Sequence, residues 1–189
     1  MSSRTLSSLL LVCSPLIMIV FWMVLGPEGI NLISARYAIG MGTVGMLAMV
    51  GGLSLVKDEM AGGAGFHYAK IGVLFLVLGL GAGIVESALE VARAEATNSG
   101  HQALFATAAQ SVGALTTAIA MLGFAVVGIA FYVQKNFPRI LAALLILAGT
   151  LGTVGAATAY ENDMVMMPGY IGMMLLTLVL GIVRLRTKA

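Results

Sequence analysis

Charge is what this sequence has least of. Its 189 residues include ten lysines and arginines and eight aspartates and glutamates, 10% of the chain, against 60% hydrophobic residues. A soluble domain carries about 25% charged residues because its surface has to be solvated. This chain cannot cover a globule with polar groups, so most of its outside is expected to face lipid. The basic residues are also too few, and too close to the ends of apolar runs, to hold nucleic acid. Cysteine is nearly missing as well. Cys13 stands alone, which excludes an intrachain disulfide and any cysteine-based metal cluster. Inside an apolar run it reads as a small buried residue.

Motifs of catalysis are missing too. The glycine-rich "GLGAG" at 79–83 has no strand before it and no lysine after it, so it is not a phosphate-binding loop. There is no HExxH, no GxSxG and no paired acidic magnesium motif. The scattered serines have no histidine at membrane depth to activate them. The chain is therefore predicted to be no enzyme and to need no cofactor.

Long apolar runs are what is there. A span needs about 20 mostly apolar residues to cross a hydrocarbon core about 30 Å thick. Six runs qualify, at approximately 6–25, 37–56, 69–89, 104–133, 140–160 and 165–183. They are continuous rather than alternating, which favours helices over the strands of a barrel. The predicted fold is all-α, a polytopic integral membrane protein with one six-transmembrane-helix bundle as a single domain over 1–189. The first run, Leu6–Leu25, is longer than a signal peptide's apolar segment, and no small-residue cleavage pattern follows it, so it reads as a retained span.

The basic residues orient this bundle. With both termini on one side, that side holds Arg4, Lys57, Lys70, Lys135, Arg139, Arg184, Arg186 and Lys188, and the other holds Arg36 and Arg93. Positive residues mark the cytoplasmic side, so both termini are expected in the cytoplasm, in the plasma membrane of a prokaryote. The opposite side is acidic, with Glu28, Glu86, Glu90, Glu95, Glu161 and Asp163. Such carboxylates either solvate the outer surface or form a cation-attracting vestibule.

Nothing breaks helix from Phe66 to Glu95 or from Gln102 to Gln134, and only "ATNSGH" separates the two stretches. Helices three and four are thus expected to form a hairpin longer than the membrane is thick. If Lys70 and Lys135 mark the inner boundary, Glu86 lies about 24 Å above it, near the outer edge of the hydrocarbon. Gly79, Gly83, Glu86, Glu90 and Arg93 follow a +4, +3, +4, +3 spacing, one helical stripe that passes from small to charged. Glu90 and Arg93 can pair locally. Glu86 is predicted to point into the bundle or a wet crevice, as intramembrane acids do.

On the antiparallel partner, Gln110 and Thr117 share a face, with Gly113 close to it and Ser111 and Thr116 flanking it. Glu86, Glu90, Gln110 and Thr117 form the candidate ion- or ligand-binding site. A second, softer set is a candidate metal site. It comprises His101 with Glu161 and the methionines Met164, Met166 and Met167, whose thioethers suit Cu(I). The other histidine, His67, falls on the opposite side, so paired axial ligands for a membrane haem are excluded.

Two functions are compatible with this pattern. One is a non-catalytic accessory or structural subunit of a membrane complex or homo-oligomer, with small-residue faces packing against partners in the bilayer. The other is a small cation- or proton-coupled transporter or channel with Glu86 as its titrating group. A single buried acid, unbroken helices and no inverted repeat weigh against the second.

Overall fold

A computed structural model describes residues 1–26 and 29–186, apart from the side chain of Asp163. Glu28 and Lys188, counted above in the acidic and basic faces, lie outside the described residues. Among those residues there are six helices long and apolar enough to cross a membrane. They are α1 (Ser3–Met18) together with the π-helical segment that carries it on to Val24, α2 (Ala35–Glu59), α3 (Phe66–Glu95), α4 (Ser99–Gln134), α5 (Arg139–Ala159) and α6 (Asp163–Arg186).

Local chemistry sets their ends. The Ser2 hydroxyl accepts from the Thr5 amide at 3.1 Å to start α1, and Ser34 does the same for Tyr37 in α2 at 3.4 Å. Asn98 accepts from Gly100 N–H at 2.7 Å, so α4 begins at Ser99, five residues before the run read from apolarity. Lys135, in a left-handed conformation with φ 59°, ends α4. The first span is not uniform, contrary to the expectation of unbroken helices. After the buried Pro15 it continues as a π-helix over Ile19–Val24, and the Leu25 amide reaches back five residues to the Val20 carbonyl at 2.9 Å.

The helices pack in chain order, and α6 closes back onto α1. Phe124, Phe131, Met121, Leu76, Leu53, Leu11, Leu145 and Leu180 are almost fully buried between them. Large apolar side chains such as Leu74, Leu78, Leu151 and Val154 point outward. An apolar exterior of this kind suits lipid, where polar groups are confined to the inside. Cys13 belongs to that exterior and is not the buried residue its position in the run suggested.

The 30-residue α3 and the 36-residue α4 are about 45 and 54 Å long. They cross where Gly72 meets Gly123. A side-chain carbon on Gly123 would stand 2.8 Å from the Gly72 carbonyl oxygen and 2.9 Å from the Leu76 amide nitrogen. The two backbones therefore touch, as small residues allow in membranes.

At the end of the bundle holding both termini, Arg184 is buried. Its Nε donates to Ser7 Oγ at 2.8 Å, and its Nη2 pairs with the Glu59 carboxylate. The Ser7 hydroxyl in turn donates a hydrogen bond to the Arg4 carbonyl at 2.9 Å, and Ser3 donates to Glu59 at 3.3 Å. This network joins α6, α1 and α2. Arg184, expected only as a boundary anchor, is part of the packing.

Gly123→Ala is expected to lower the thermal midpoint in detergent by the equivalent of about 1–3 kcal/mol, because the added carbon meets the α3 backbone at Gly72 and Leu76 as well as the Leu76 side chain. Gly40→Ala, whose new carbon has nothing within 4 Å, is expected to leave that midpoint unchanged or raise it. Equal effects from the two variants would contradict the α3–α4 crossing.

Candidate functional site

The α3–α4 contact that begins at Gly72 and Gly123 continues through Gly79, which lies against Ala120 and the Thr116 carbonyl. One and two turns further out are Gly83, with open space around it, and Glu86. Glu86 is half-buried, and its carboxylate turns across α4 toward the end of α5. Tyr160, the residue that closes α5, donates its hydroxyl to Glu86 Oε1 at 2.5 Å. Thr116 lies 3.4 Å from Oε2, and its hydroxyl also has the Gly113 carbonyl as an acceptor at 3.2 Å.

Gly113 makes this meeting sterically feasible. A side-chain carbon there would collide with both the Glu86 carboxylate and the Tyr160 hydroxyl. The acid and the phenol occupy the volume that any other residue would fill. Three spans thus converge on one carboxyl group.

A second hydroxyl pair adjoins the first. Thr117 Oγ1 lies 3.3 Å from the Tyr170 hydroxyl on α6, and Thr117 follows Thr116 directly on α4. The resulting cluster is Glu86, Thr116, Thr117, Tyr160 and Tyr170, contributed by α3, α4, the end of α5 and α6.

The residues expected at this site divide. Glu86 is at its centre and Thr117 at its inner edge. Glu90 turns to Arg93, 2.6 Å away on its own helix, which neutralises the like charge nearest Glu86. Gln110 is exposed. It stands three residues, about 4.5 Å, outside the level at which Gly113 meets Tyr160, so α5 has ended before it can face Gln110. Tyr160 and Tyr170 were not anticipated from the sequence, nor was Thr116 as the residue that reaches Glu86. One signal was present. These two tyrosines are the only aromatic residues after Phe137, and each has a hydroxyl to place at or near a span.

The residues of the softer metal set lie apart. His101 is exposed in the first turn of α4, twelve residues or about 18 Å out from Gly113 and hence from the Tyr160–Glu161 corner. Met164 is 86% exposed, whereas Met166 is 2% exposed and packs near Gly155. Met167 is exposed. Neighbouring thioethers on different faces of one helix do not converge on an ion. Among the described residues no three of His, Cys, Asp or Glu gather closely enough to hold a metal ion.

No known protein family, curated protein or solved structure matches this chain. The site is therefore read from its own chemistry. A carboxyl group with a phenol on one oxygen and an alcohol at the other can take up and release a proton without losing either partner, because each hydroxyl can donate or accept.

Glu86→Gln keeps an acceptor for Tyr160 and is expected to melt within about 1 kcal/mol of the wild type. Glu86→Leu leaves the Tyr160 and Thr116 hydroxyls facing an apolar side chain and is expected to cost about 1–3 kcal/mol. Identical melting of the two variants in detergent would show that these hydrogen bonds do not hold the spans together.

Proposed function

We propose that this chain is a non-catalytic, multi-pass protein of a prokaryotic plasma membrane. In this reading it moves a small cation or a proton-coupled solute, with Glu86 as the titrating group. The observation that carries the proposal is the Glu86 carboxyl group, held by Tyr160 and Thr116 where three spans meet. Ionisable groups within membrane spans are costly, and they mark ion and proton paths. Both termini are assigned to the cytoplasm on the distribution of lysine and arginine, most of which lie at the end holding Arg4 and Arg184.

A subunit or homo-oligomer is the second reading. Most of the small-residue faces that suggested it are occupied within the chain, where glycines pack α1 on α2, α3 on α4, α4 on α5 and α6 on α1. Gly40 on α2 and Gly81 and Gly83 on α3 are different, since none of the described residues lies within 4 Å of a carbon added to them. These open glycines support packing against another membrane helix. A single monomeric species in mild detergent would remove this reading.

Purified protein in liposomes, given an ion gradient and a membrane potential, is expected to move protons or a small monovalent cation. Glu86→Gln is expected to lower that flux at least about tenfold. Full flux in the Glu86→Gln variant would remove Glu86 from the mechanism. For orientation, a fluorescent protein fused at the carboxyl terminus is expected to light up, and a periplasmic phosphatase at the same position to stay inactive. The reverse pattern would invert the bundle.

A further inference from the structure

We propose that the groove at the outer end of α2 binds a zwitterionic phospholipid, with its phosphate on Arg36, its primary ammonium at Glu95 and an acyl chain against Gly40. The proposal concerns a surface other than the Glu86 site and does not rest on the transport reading.

The groove is built on one helix. Ser34, Arg36, Tyr37, Gly40, Met41 and Val44 line a volume of about 310 Å³ on α2. Tyr37, Gly40, Met41 and Val44 follow a +3, +1, +3 spacing, which places them on one helical face. Tyr37 and Val44 are exposed, and Gly40 leaves the floor of the groove without a side chain. Phe21, in the π-helical segment that extends α1, meets the Tyr37 ring edge-on with 6.0 Å between centroids. That segment thus supports one wall of the groove.

Depth decides what the groove meets. Lys57 and Arg36 stand twenty-one residues apart on α2, about 32 Å along the helix. A hydrocarbon core is about 30 Å thick, so a helix anchored at Lys57 in one headgroup layer carries Arg36 into the other. Phe21, Trp22 and Tyr37 lie at this same end of the bundle, and aromatic side chains of this kind mark the membrane interface. Met41 and Val44 then fall within the hydrocarbon. From the headgroup layer inward the groove presents a cation, a phenol, a gap over glycine and apolar side chains. A phospholipid presents a phosphate, glycerol esters and an acyl chain in the same order.

Charge selects the headgroup. The Arg36 side chain is 71% exposed and pairs through Nη2 with Glu95 Oε2 at 2.6 Å, and the Glu95 side chain is 47% exposed. This contact uses one of the five N–H donors of the guanidinium. Among the described residues nothing else takes the remaining donors or Glu95 Oε1. An exposed pair of this kind adds little stability by itself. Its free edges are a planar fork suited to a phosphate and a carboxylate oxygen suited to an N–H cation.

The two charges stand side by side, as phosphate and ammonium do in an ethanolamine headgroup. Glu95 repels a headgroup of net negative charge, and the quaternary ammonium of choline has no N–H to donate to it. An apolar membrane helix fills only the lower half of such a groove and brings no matching pair of charges to headgroup depth.

The test uses the full chain purified in mild detergent. It is offered phosphatidylethanolamine, phosphatidylcholine and phosphatidylglycerol with identical acyl chains, and native mass spectrometry counts the lipid retained. Wild type is expected to retain phosphatidylethanolamine about tenfold better than either of the others, the size of one charge-assisted hydrogen bond. Arg36→Gln is expected to lower that retention about tenfold. Glu95→Gln is expected to bring phosphatidylethanolamine down to the level of phosphatidylcholine. Gly40→Phe, which fills the groove and leaves both charges in place, is expected to lower retention of all three lipids. Arg139→Gln, at the inner end, is expected to change none of them. Circular dichroism of each variant reads whether its helices are intact.

Equal retention of the three lipids by wild type, or a preference for phosphatidylglycerol, would overturn the headgroup assignment without any variant. Unchanged retention in both Arg36→Gln and Gly40→Phe would overturn the groove as the site. Cross-linking of Val44→Cys, in a Cys13→Ser background, to a second copy or another membrane protein would overturn the lipid as occupant and support the subunit reading instead.

Discussion

The contact between the backbones of α3 and α4 at Gly72 and Gly123 is the constraint on which the rest of the bundle depends. Two helices of 30 and 36 residues are long levers, and a close crossing near one end fixes how they lie at the other. Larger residues at the crossing would push the axes apart, and Glu86 would then be drawn back from Tyr160. Gly113 extends the same device outward. There the missing side chain makes room for an acid and a phenol rather than for another helix backbone.

Polar groups follow a common rule at both ends of the molecule. In hydrocarbon an unsatisfied donor or acceptor costs several kcal/mol, so polar side chains must meet one another inside the protein. Arg184, Glu59, Ser7 and Ser3 do so where α6, α1 and α2 converge. Glu86, Tyr160 and Thr116 do so where α3, α4 and α5 converge. The first group is an ion pair whose charges already balance. The second contains one carboxyl group and no cation, so its charge state is open to change by a proton.

The spans were legible because a continuous apolar run in a charge-poor chain has few alternatives. Cap residues adjusted their ends, as Asn98 does for α4. The stripe from Gly79 to Glu86 was legible too, because 3.6-residue periodicity places its members on one face. Periodicity says which residues share a face of one helix, but not which helix that face meets. Tyr160 lies 74 residues from Glu86, and their contact depends on where α5 ends beside α4. Gln110 shows the same limit. It shares a face with Thr117, yet it stands beyond the reach of α5. Cys13 and Arg184 were misjudged for one reason: an apolar neighbourhood in sequence does not reveal whether a side chain points to lipid or inward.

A purely structural role for Glu86 has to explain why the residue is a carboxylic acid. Joining three helices by hydrogen bonds needs acceptors and donors, and glutamine supplies both with no charge to bury. A carboxyl group adds one property, the ability to exist with or without its proton, and it adds the cost of a desolvated charge whenever the proton is gone. Tyr160 and Thr116 moderate that cost by donating to the carboxylate, and as hydroxyls they remain useful partners once the acid is protonated. Lysine or arginine in their place would hold the site in the ionised form, and apolar residues would hold it in the neutral one. Hydroxyl partners fix neither state. That equivalence is what a group that must gain and lose a proton requires, and it is the physical ground for placing the proposed activity at Glu86 rather than at the charge-balanced Arg184–Glu59 pair.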